Sequence, residues 1–270
     1  MPEGHVIHRL ARDLIQQFQG TSPTVTSPQG RFSAEAALVN HQPFIGAEAF
    51  GKHLFLYFDG PQPERIIWIH LGLIGTLAFE PPSTTRGQIR LSIATNTLAA
   101  NLRGPQWCRL IDETQMQRAV AKLGADPLRS DAEFAPIAAK VRKSTRSIGS
   151  LLMDQKLFAG VGNIYRAETL FRLGISPTTA GNQLDDAQLQ AIWDDLVTLM
   201  QDGVHAGRID TVREEHTPAA MGRAPRKDDH GGEVYTYRRH GQPCYICGTP
   251  IATRSLEGRN LFWCPTCQQE

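Results

Sequence analysis

The first hydrophobic pattern along the chain has a helical period. Between residues 3 and 19, apolar side chains recur every three or four positions. These positions are Val6, Ile7, Leu10, Ala11, Leu14, Ile15 and Phe18. This spacing lines them along one face of an α-helix, and Gly20 favours the end of that helix. The sequence therefore predicts one long amphipathic helix at the start of the chain.

From about residue 25 to residue 115 the pattern changes to short alternating runs separated by Gly and Pro. Residues 54–58, 66–71 and 88–93 place apolar side chains at every second position or in short apolar runs. Such runs, bounded by turn residues, are typical of β-strands. We therefore expect a β-sandwich that carries the N-terminal helix.

A helical pattern returns after about residue 116. Residues 184–203 place apolar side chains on one face, with Asn182 or Asp185 as the candidate N-cap. Residues 222–232 contain almost nothing to bury and predict a mobile loop. We expect an α+β protein of two domains. The predicted boundaries are a β-sandwich over 1–118, a helical domain over 119–220, a flexible loop over 221–234 and a small metal-binding unit over 235–269.

Composition and charge limit the class of protein. The chain has 270 residues, of which 41% are hydrophobic and 20% charged, and no apolar run is long enough to span a membrane. We see no secretory signal and expect a cytoplasmic protein. The net charge is only +1, but residues 138–172 hold seven basic side chains against two acids. This local excess is either a solvated helix face or a track for phosphates, and charge alone leaves both open.

Four of the five cysteines lie in two pairs near the C-terminus. Cys244 and Cys247 form one C-x2-C pair, and Cys264 and Cys267 form another, 16 residues later. Four thiolates at this spacing predict one tetrahedral Zn²⁺ site, and a full coordination sphere makes the metal structural. Disulfides are the weaker alternative in a cytoplasmic chain. The fifth, Cys108, is expected to be a small buried apolar residue.

The stretch between the two cysteine pairs fits a β-hairpin. Its turn is predicted at Glu257-Gly258, which leaves Arg259 just past the turn. An arginine at such a tip is either an ordinary surface residue or a contact for an anion. The sequence alone leaves both interpretations open.

A glycine-rich turn, AGVGN, lies between two predicted helical segments. Gly160 and Gly162 permit left-handed backbone, and Asn163 stands where it can cap the segment 164–173. Backbone N–H groups at a helix start bind phosphate well. A plain helix–turn–helix with glycine C-caps is the alternative, and the turn by itself does not exclude it.

Several motifs together resemble the Fpg/Nei family, which comprises formamidopyrimidine-DNA glycosylase and endonuclease VIII. LMDQKLFAGVGNIYRAETLF is similar to the helix-two-turns-helix element of that family, and GRNLFWCPTC to its C-terminal zinc finger. MPEG resembles the family's N-terminus, and LGADPL at 123–128 also fits. The resemblance runs in order from residue 2 to residue 267. MPEGH is most similar to the actinobacterial endonuclease VIII type.

The resemblance implies that the chemistry begins at the second residue. After removal of Met1, Pro2 has a secondary amine at the chain terminus, and Glu3 stands beside it as a general acid/base. Each residue also has an ordinary explanation, because proline favours the first turn of a helix and an acid stabilises a helix start.

Two further catalytic residues follow from the same resemblance. Lys52, in FGKHLF, matches a strand lysine that donates a proton during β-elimination and contacts phosphate. Arg259 matches the finger arginine assigned to δ-elimination. Because arginine stays protonated in proteins, we expect Arg259 mainly to bind the phosphates that flank the lesion.

The resemblance also implies DNA contacts. Asn163 is expected to hold a backbone phosphate, and Lys122 aligns with a basic DNA contact of endonuclease VIII. HLGLIG at 70–75 resembles the wedge loop, with Leu73 in the wedge position, and NLRGPQW supplies Arg103 for the estranged base. The chain departs from the pattern in two places. No aromatic wedge follows Arg103, and Val6 stands where the family usually has Glu.

The implied function is a bifunctional DNA glycosylase/AP lyase of base excision repair. It removes oxidised bases, mainly pyrimidines, and cleaves the strand by β,δ-elimination through a Schiff base on Pro2. Two alternatives remain open at this stage, a formamidopyrimidine-type enzyme for purine lesions and a non-catalytic DNA-binding module. We expect a monomer that acts on damaged double-stranded DNA in the prokaryotic cytoplasm, at the nucleoid. It should need neither a membrane nor a nucleotide cofactor.

Overall fold

The computed structural model describes residues 2–84, 86–227 and 232–269. The chain divides into two compact units, Met1–Lys122 and Leu123–Glu270. The segment predicted as a flexible loop, 221–234, lies in the second unit, and its residues 228–231 fall outside the described residues. The mobility of that segment stays a prediction.

The described residues form eight α-helices and ten β-strands. The helices are α1 (Gly4–Phe18), α2 (Ser33–Val39), α3 (Glu113–Val120), α4 (Ala135–Val141), α5 (Ile148–Leu151), α6 (Asn163–Arg172), α7 (Asp186–Ala206) and α8 (Pro218–Met221). The strands are β1 (Thr24–Thr26), β2 (Phe44–Phe50), β3 (His53–Phe58), β4 (Ile66–His70), β5 (Thr76–Glu80), β6 (Ile89–Ala94), β7 (Ala99–Arg103), β8 (Trp107–Ile111), β9 (Ala252–Leu256) and β10 (Arg259–Trp263).

The first unit is a sandwich of two antiparallel four-stranded sheets. One sheet has the order β1-β6-β7-β5 and the other the order β2-β3-β4-β8. The alternation along each strand sends one set of side chains between the sheets, where Leu54, Leu56, Ile67, Leu91 and Leu102 form a dry core. The β-sandwich predicted from the alternating pattern is confirmed.

Helix α1 is the long amphipathic helix that the sequence predicts. Its buried residues Ile7, Leu10, Leu14 and Phe18 belong to the same core as the sandwich. The backbone of Gly20, with a φ of 78°, takes the left-handed conformation that follows a helix end. The sandwich therefore holds the first residues of α1 against its core.

The second unit has a helical core. Helix α7 begins with a capping box, in which Asp185 accepts from the Gln188 N–H and Gln188 accepts from the Asp185 N–H. Of the two cap candidates, Asp185 is the one used. Trp193 on α7 stacks on Phe134, with ring centroids 4.7 Å apart.

A buried carboxylate organises the segment that precedes the zinc hairpin. Glu168 on α6 is fully buried and accepts hydrogen bonds from the backbone N–H groups of Tyr235, Thr236 and Tyr237. The hydroxyls of Thr211 and Thr236 donate two more, at 2.6 and 3.0 Å. Five donors offset the desolvation of one carboxylate, so this side chain fixes residues 235–237 on α6.

Within the described part of the chain, no helix combines the length and apolar character needed to cross a membrane.

Candidate active-site residues and the zinc centre

Pro2 and Glu3 lie at the start of α1. Glu3 is the N-cap residue, with φ −110° and ψ 179°, and its carbonyl accepts from the N–H of Val6 at 3.0 Å. Its side chain is fully buried and does not cap its own helix. Pro2 is only partly buried. The fold thus encloses the carboxylate and keeps the adjacent proline accessible.

Val6 and His5 follow Glu3 in the first turn of α1, and Val6 stands where the family usually has Glu. Val6 packs as a partly buried side chain on the sandwich core, so an aliphatic residue is stabilised there by burial. His5 is buried, and burial is the largest cause that lowers its pKa to about 4. His5 is therefore a neutral imidazole beside Glu3, a feature that the sequence analysis missed.

Lys52 lies in a two-residue turn, whereas the resemblance implied a strand position. Gly51, with a φ of 59°, and Lys52 connect β2 to β3, and Phe50 pairs with His53 across the turn. The charge of Lys52 acts on two imidazoles, His53 and His70, whose pKa values are lowered first by burial and then by neighbouring charges. The pKa of His53 falls to about 4.

His53 and His70 belong to an aromatic cluster on the outer face of the β2-β3-β4-β8 sheet. Trp68 Nε1 donates to His53 Nδ1 at 3.0 Å, and the His70 ring stacks on Trp107 at 4.5 Å. The two imidazole centroids are 5.2 Å apart. The sequence analysis missed this cluster, although strand alternation places these residues on one face. Lys52 directly precedes this cluster in the sequence, and its charge acts on both histidines of the cluster.

The predicted wedge loop presents two apolar side chains to solvent. Leu73 is 61% exposed and Ile74 83% exposed. Gly72, with a φ of 70°, and Gly75 allow the loop to pack on the turn at residues 104–106, since a Cβ on Gly72 would lie 2.9 Å from the Gln106 Cβ and one on Gly75 3.0 Å from the Gly104 oxygen. Ile74 was not predicted. Gln106 holds the place where an aromatic wedge was expected, and its backbone N–H donates to the His70 carbonyl.

Arg103 is already engaged in contacts within the first unit. Its guanidinium donates to Glu80 at 2.8 Å and to the carbonyl of Arg86. Asn101 donates to the same Glu80 carboxylate. These two hydrogen bonds, the Asn101 bond first, lower the pKa of Glu80. To contact an estranged base, Arg103 would therefore have to break its hydrogen bonds to Glu80 and to the Arg86 carbonyl.

Two remaining predictions concern the first unit. Lys122 is exposed and follows α3 as the last residue of the unit. Cys108 is buried, and burial raises the pKa of its thiol to about 12. A thiol with this pKa is protonated at neutral pH, so Cys108 is a small apolar core residue.

In the second unit, Asn163 is the first residue of α6, and Gly162 is its N-cap. The Asn163 amide donates to the carbonyl of Asn260 on β10 at 2.9 Å, and its side-chain oxygen accepts from Arg166. Arg166 is 1% exposed and also donates to the Gly149 carbonyl. Asn163 therefore does not cap the helix through its side chain. It joins the zinc hairpin to the helix start.

The turn before α6 depends on one glycine and one glutamine. Gly160 has a φ of 89°, as expected, but Gly162 does not take the left-handed conformation. The Gln155 side chain accepts from the Gly160 N–H and donates to the carbonyls of Met153 and Val161. A glutamine side chain thus replaces backbone hydrogen bonds within this turn.

The basic stretch 138–172 separates into two groups. Its arginines make internal contacts, with Arg142 bonded to Asp186, Arg146 to Asp154 and Glu257, Arg166 buried, and Arg172 bonded to Asp195. Its lysines are exposed at positions 140, 143 and 156. The lysines and the exposed, ion-paired Arg142 and Arg146 therefore form a solvated basic surface of the kind that a phosphate backbone attracts, whereas Arg166 and Arg172 do not belong to it.

The zinc hairpin turns where the sequence predicted. Strands β9 and β10 pair from Ala252–Trp263 to Leu256–Arg259, which leaves Glu257 and Gly258 in the turn with φ values of 49° and 74°. Positive φ at both positions is typical of a tight hairpin turn. Arg259 is exposed directly after the turn.

The four cysteines fit one zinc ion. Their sulfur atoms all lie within 4.8 Å of one another, and the Sγ atoms of Cys247 and Cys264 are 3.4 Å apart. Zn–S bonds of about 2.3 Å in a tetrahedron give S···S separations of about 3.8 Å. The N–H groups of Ile246 and Cys267 donate to Cys244 and Cys264 sulfur at 3.5 Å. The site binds one structural Zn²⁺ through four thiolates.

The protein thus combines a β-sandwich with an N-terminal helix, a two-turn element between helices and a four-cysteine hairpin. Two family profiles match the second unit. One is the formamidopyrimidine-DNA glycosylase H2TH domain, over residues 123–214, and the other is a zinc finger found in FPG and IleRS, over residues 241–269.

Whole-chain relatives extend this match to the first unit. The chain is 43% identical over 277 residues to "Endonuclease 8 1" of Mycobacterium tuberculosis, which covers 99% of this chain and 100% of the relative. It is 35% identical over 230 residues to a formamidopyrimidine-DNA glycosylase of Parasynechococcus marenigrum, which covers 81% of this chain and 79% of the relative. The chain belongs to the Fpg/Nei family of DNA glycosylases/AP lyases in base excision repair.

Solved structures show the same fold. Lactococcus lactis Fpg in complex with abasic-site DNA has a TM-score of 0.80 at 22% identity, over 99% of this chain and 100% of that chain. Thermus thermophilus MutM (Fpg) has a TM-score of 0.76 at 26% identity, over 99% and 98% of the two chains.

Proposed function

We propose that this protein removes oxidised pyrimidines from double-stranded DNA and cleaves the strand through a covalent intermediate on Pro2. The observation that carries the proposal is the start of α1. An accessible proline precedes a fully buried carboxylate, and the sandwich core holds both in place. DNA binding alone requires neither residue.

Removal of Met1 gives Pro2 a secondary amine. An α-amino group with a pKa of about 7.7–8.0 is roughly one tenth to one sixth neutral at pH 7, and a helix N-terminus raises that fraction because it disfavours positive charge. The neutral nitrogen attacks C1′ of the damaged nucleotide. The N-glycosidic bond breaks, and its electron pair leaves with the base.

Glu3 acts in the proposal as the proton donor to the sugar ring oxygen. Ring opening then leaves an iminium between Pro2 and C1′, which acidifies the C2′ proton. Loss of that proton expels the 3′ phosphate by β-elimination, and a second elimination expels the 5′ phosphate. Water then hydrolyses the iminium, which releases the sugar fragment as an aldehyde and regenerates the Pro2 amine.

The other predicted residues bind and position DNA in this proposal. Lys52 and Arg259 contact the phosphates that flank the lesion, and Lys52 donates a proton during β-elimination. Leu73 fills the space left by the extruded base, and Lys122 supplies a further phosphate contact. Arg103 would reach the estranged base after exchanging its bonds to Glu80.

Asn163 requires a modified role in the proposal, because its amide is bonded to the Asn260 carbonyl. We propose that the backbone N–H groups at the start of α6 bind the phosphate, and that Asn163 fixes the zinc hairpin beside them.

The pyrimidine preference rests on the endonuclease VIII character of the chain. The relative named "Endonuclease 8 1" shares 43% identity across the whole chain, and the formamidopyrimidine-DNA glycosylase shares 35% across four fifths of it. We further propose that one copy of the chain acts on one lesion, in the prokaryotic cytoplasm and at the nucleoid.

Borohydride trapping tests the Pro2 intermediate. Wild-type protein lacking Met1 should form a covalent adduct with abasic-site DNA, whereas Pro2→Gly should form far less. A variant with one extra N-terminal residue should bind the same DNA and form no adduct. An undiminished adduct from Pro2→Gly would refute the proposal, and DNA binding with no wild-type adduct would favour a non-catalytic binding module.

A panel of lesion duplexes tests the substrate class. Base release from dihydrouracil and thymine glycol should exceed release from 8-oxoguanine under single-turnover conditions. The reverse order would assign the chain to the formamidopyrimidine type for purine lesions.

A further inference from the structure

A cavity in the first unit lies outside the residues proposed for catalysis. It has a volume of about 190 Å³ and is lined by Gln29, Arg31, Gln88, Ile89, Arg90, Gly104 and Pro105. One water molecule needs a space of about 10–15 Å³, so the cavity admits a group of several heavy atoms. The lining contains two arginines and no acid.

Arg90 points into this region because β6 contains a β-bulge. Ile89 pairs with Arg103 and Leu91 pairs with Leu102, so Arg90 is the extra residue between two successive pairs. A bulge breaks the strict alternation of a strand and redirects one side chain. Arg90 Nε is buried and makes no hydrogen bond within the described residues.

The two arginines are not neutralised within the described chain. Arg31 and Arg90 form no ion pair with any described carboxylate. Glu35 of α2 influences the same buried Cys108 thiol as Arg90 but forms no ion pair with either arginine. Arg103 pairs with Ile89 beside the bulge. Unlike Arg31 and Arg90, it forms an ion pair with Glu80. The cavity therefore keeps a net positive charge with unused donors.

The wall that carries Arg31 is held to the strand that carries Arg90. The Ser27 hydroxyl donates to the Arg90 carbonyl at 2.7 Å and accepts from the Phe32 N–H at 3.1 Å. The Gly30 N–H donates to the Ser27 carbonyl at 2.8 Å, and Gly30 has a φ of 81°. These bonds fix the backbone of the turn before Arg31 relative to that of Arg90, so the exposed Arg31 side chain starts from a preformed wall of the cavity.

The opposite wall connects the cavity to the exposed wedge loop. Gly104 and Pro105 line the cavity, and the same turn packs against the loop of Leu73 and Ile74. A duplex that receives Leu73 presents a phosphate about every 1.7 Å along its axis to the surface around that loop.

From this arrangement we infer that the cavity between Arg31 and Arg90 is a binding site for one DNA backbone phosphate. The guanidinium groups supply charge and donors, and the two glutamines supply further amide N–H groups. The inference rests on the proposed function only in naming DNA as the source of the phosphate. It adds a contact that positions the strand and plays no part in bond breaking.

The salt dependence of DNA binding tests the site. The probe is a duplex with a tetrahydrofuran abasic-site analogue, measured by fluorescence anisotropy between 50 and 200 mM salt. Loss of one phosphate contact lowers the slope of log K against log salt by about one. Arg31→Gln combined with Arg90→Gln should therefore give a slope shallower by about one, and affinity at 50 mM salt should fall several-fold.

Arg65→Gln is the matched control. Arg65 is an exposed arginine of the same unit, in the loop between β3 and β4, and its substitution removes one positive charge, as Arg31→Gln alone does. It should leave the slope unchanged. Because Arg90 is part of the sheet, Arg31→Gln alone provides a second variant on an exposed turn, and its slope should also decrease. Slopes equal to that of Arg65→Gln in both cavity variants would overturn the inference.

Inorganic phosphate distinguishes the two sources of the ligand. Calorimetric titration of phosphate alone into the wild-type protein detects a site for the free ion. Heat of binding that is lost in the double variant, with an unchanged DNA slope, would assign the cavity to free phosphate and overturn the DNA assignment. A changed slope in a protein that forms no borohydride adduct would keep this site and refute only the covalent mechanism.

Discussion

The two units use buried polar groups in opposite ways. Among the described residues of the first unit, the buried polar side chains are Glu3, His5 and Asn101, and the sandwich interior is otherwise apolar. In the second unit, Asn163, Arg166 and Glu168 are buried among hydrogen bonds that join distant segments. The first unit buries few polar groups, whereas the second builds several of them into its core.

This difference predicts which substitutions change activity alone and which also change packing. In the first unit, a change at Pro2 removes a proposed reactive group without removing a core contact. In the second unit, a change at Asn163 or Arg166 also alters packing between α6 and the zinc hairpin. Loss of activity there does not by itself identify a residue that contacts DNA. Stability must be measured beside activity for the second unit above all.

Zinc removal should have the largest effect and should act on the second unit. Structural zinc contributes about 10–16 kcal/mol in isolated zinc-finger peptides, and Cys244 and Cys264 belong to the helical core here. Chelation should therefore unfold the hairpin and abolish DNA binding. Zinc content is measured by atomic absorption and binding by anisotropy. Full DNA affinity in protein with verified zinc loss would show that the second unit does not need its zinc ion to bind DNA.

Glu168→Gln should give the next largest effect, a loss of about 3 kcal/mol of unfolding free energy, because buried N–H groups lose their acceptor. The glutamine amide would place a donor against the N–H groups of residues 235–237, which now donate to a carboxylate. Urea denaturation measures the change.

Glu80→Gln is the matched control in the first unit. Glu80 is a partly exposed carboxylate that also accepts from two side chains, Asn101 and Arg103. Its loss should cost no more than about 1 kcal/mol. Equal losses for the two variants would remove the proposed difference between the units.

Acidification should have a smaller effect and should act on the first unit. Folded His5 and His53 stay neutral down to a pKa of about 4, whereas the unfolded imidazoles bind protons near pH 6.5. The unfolded state binds more protons in that window, so stability falls as pH falls from about 6.5 towards 4. Each histidine should lower the unfolding free energy by about 2 kcal/mol at pH 5.

The change in slope, measured by denaturation between pH 7 and pH 5, is the readout for these histidines. His5→Gln and His53→Gln should each flatten the pH dependence, because the substituted side chain no longer titrates. His205→Gln is a suitable control on the exposed end of α7 in the second unit. A pH dependence unchanged in both first-unit variants would show that buried imidazoles do not govern acid stability.

Local patterns predicted much of the fold. The spacing of apolar residues predicted α1, strand alternation predicted the sandwich, and C-x2-C spacing predicted the zinc ligands, because each depends on neighbours within one element. The hairpin turn at Glu257-Gly258 followed from the same local chemistry. The family resemblance added the candidate catalytic residues, whose roles remain predictions.

Long-range contacts account for what the sequence did not predict. Glu168 meets its partners 67–69 residues further along the chain, and Asn163 meets Asn260 97 residues away. The bulge at Arg90 depends on the register of β6 against β7, which no pattern within β6 specifies. The ion pairs of Arg146 with Glu257 and of Arg172 with Asp195 were not predicted, because these carboxylates lie 111 and 23 residues away along the chain.

The hydrogen bond from Trp68 to His53 has a spectroscopic consequence. The chain has four tryptophans, with Trp68 and Trp107 in the first unit and Trp193 and Trp263 in the second. Each indole N–H gives one resonance in a proton spectrum, and that of Trp68 is shared with a ring nitrogen. Protonation of that nitrogen breaks the bond and displaces the Trp68 resonance most, with a smaller shift at Trp107, whose ring centroid lies 5.9 Å from that of His53. One simple spectrum thus follows each unit separately and reports the charge of His53 beside Lys52.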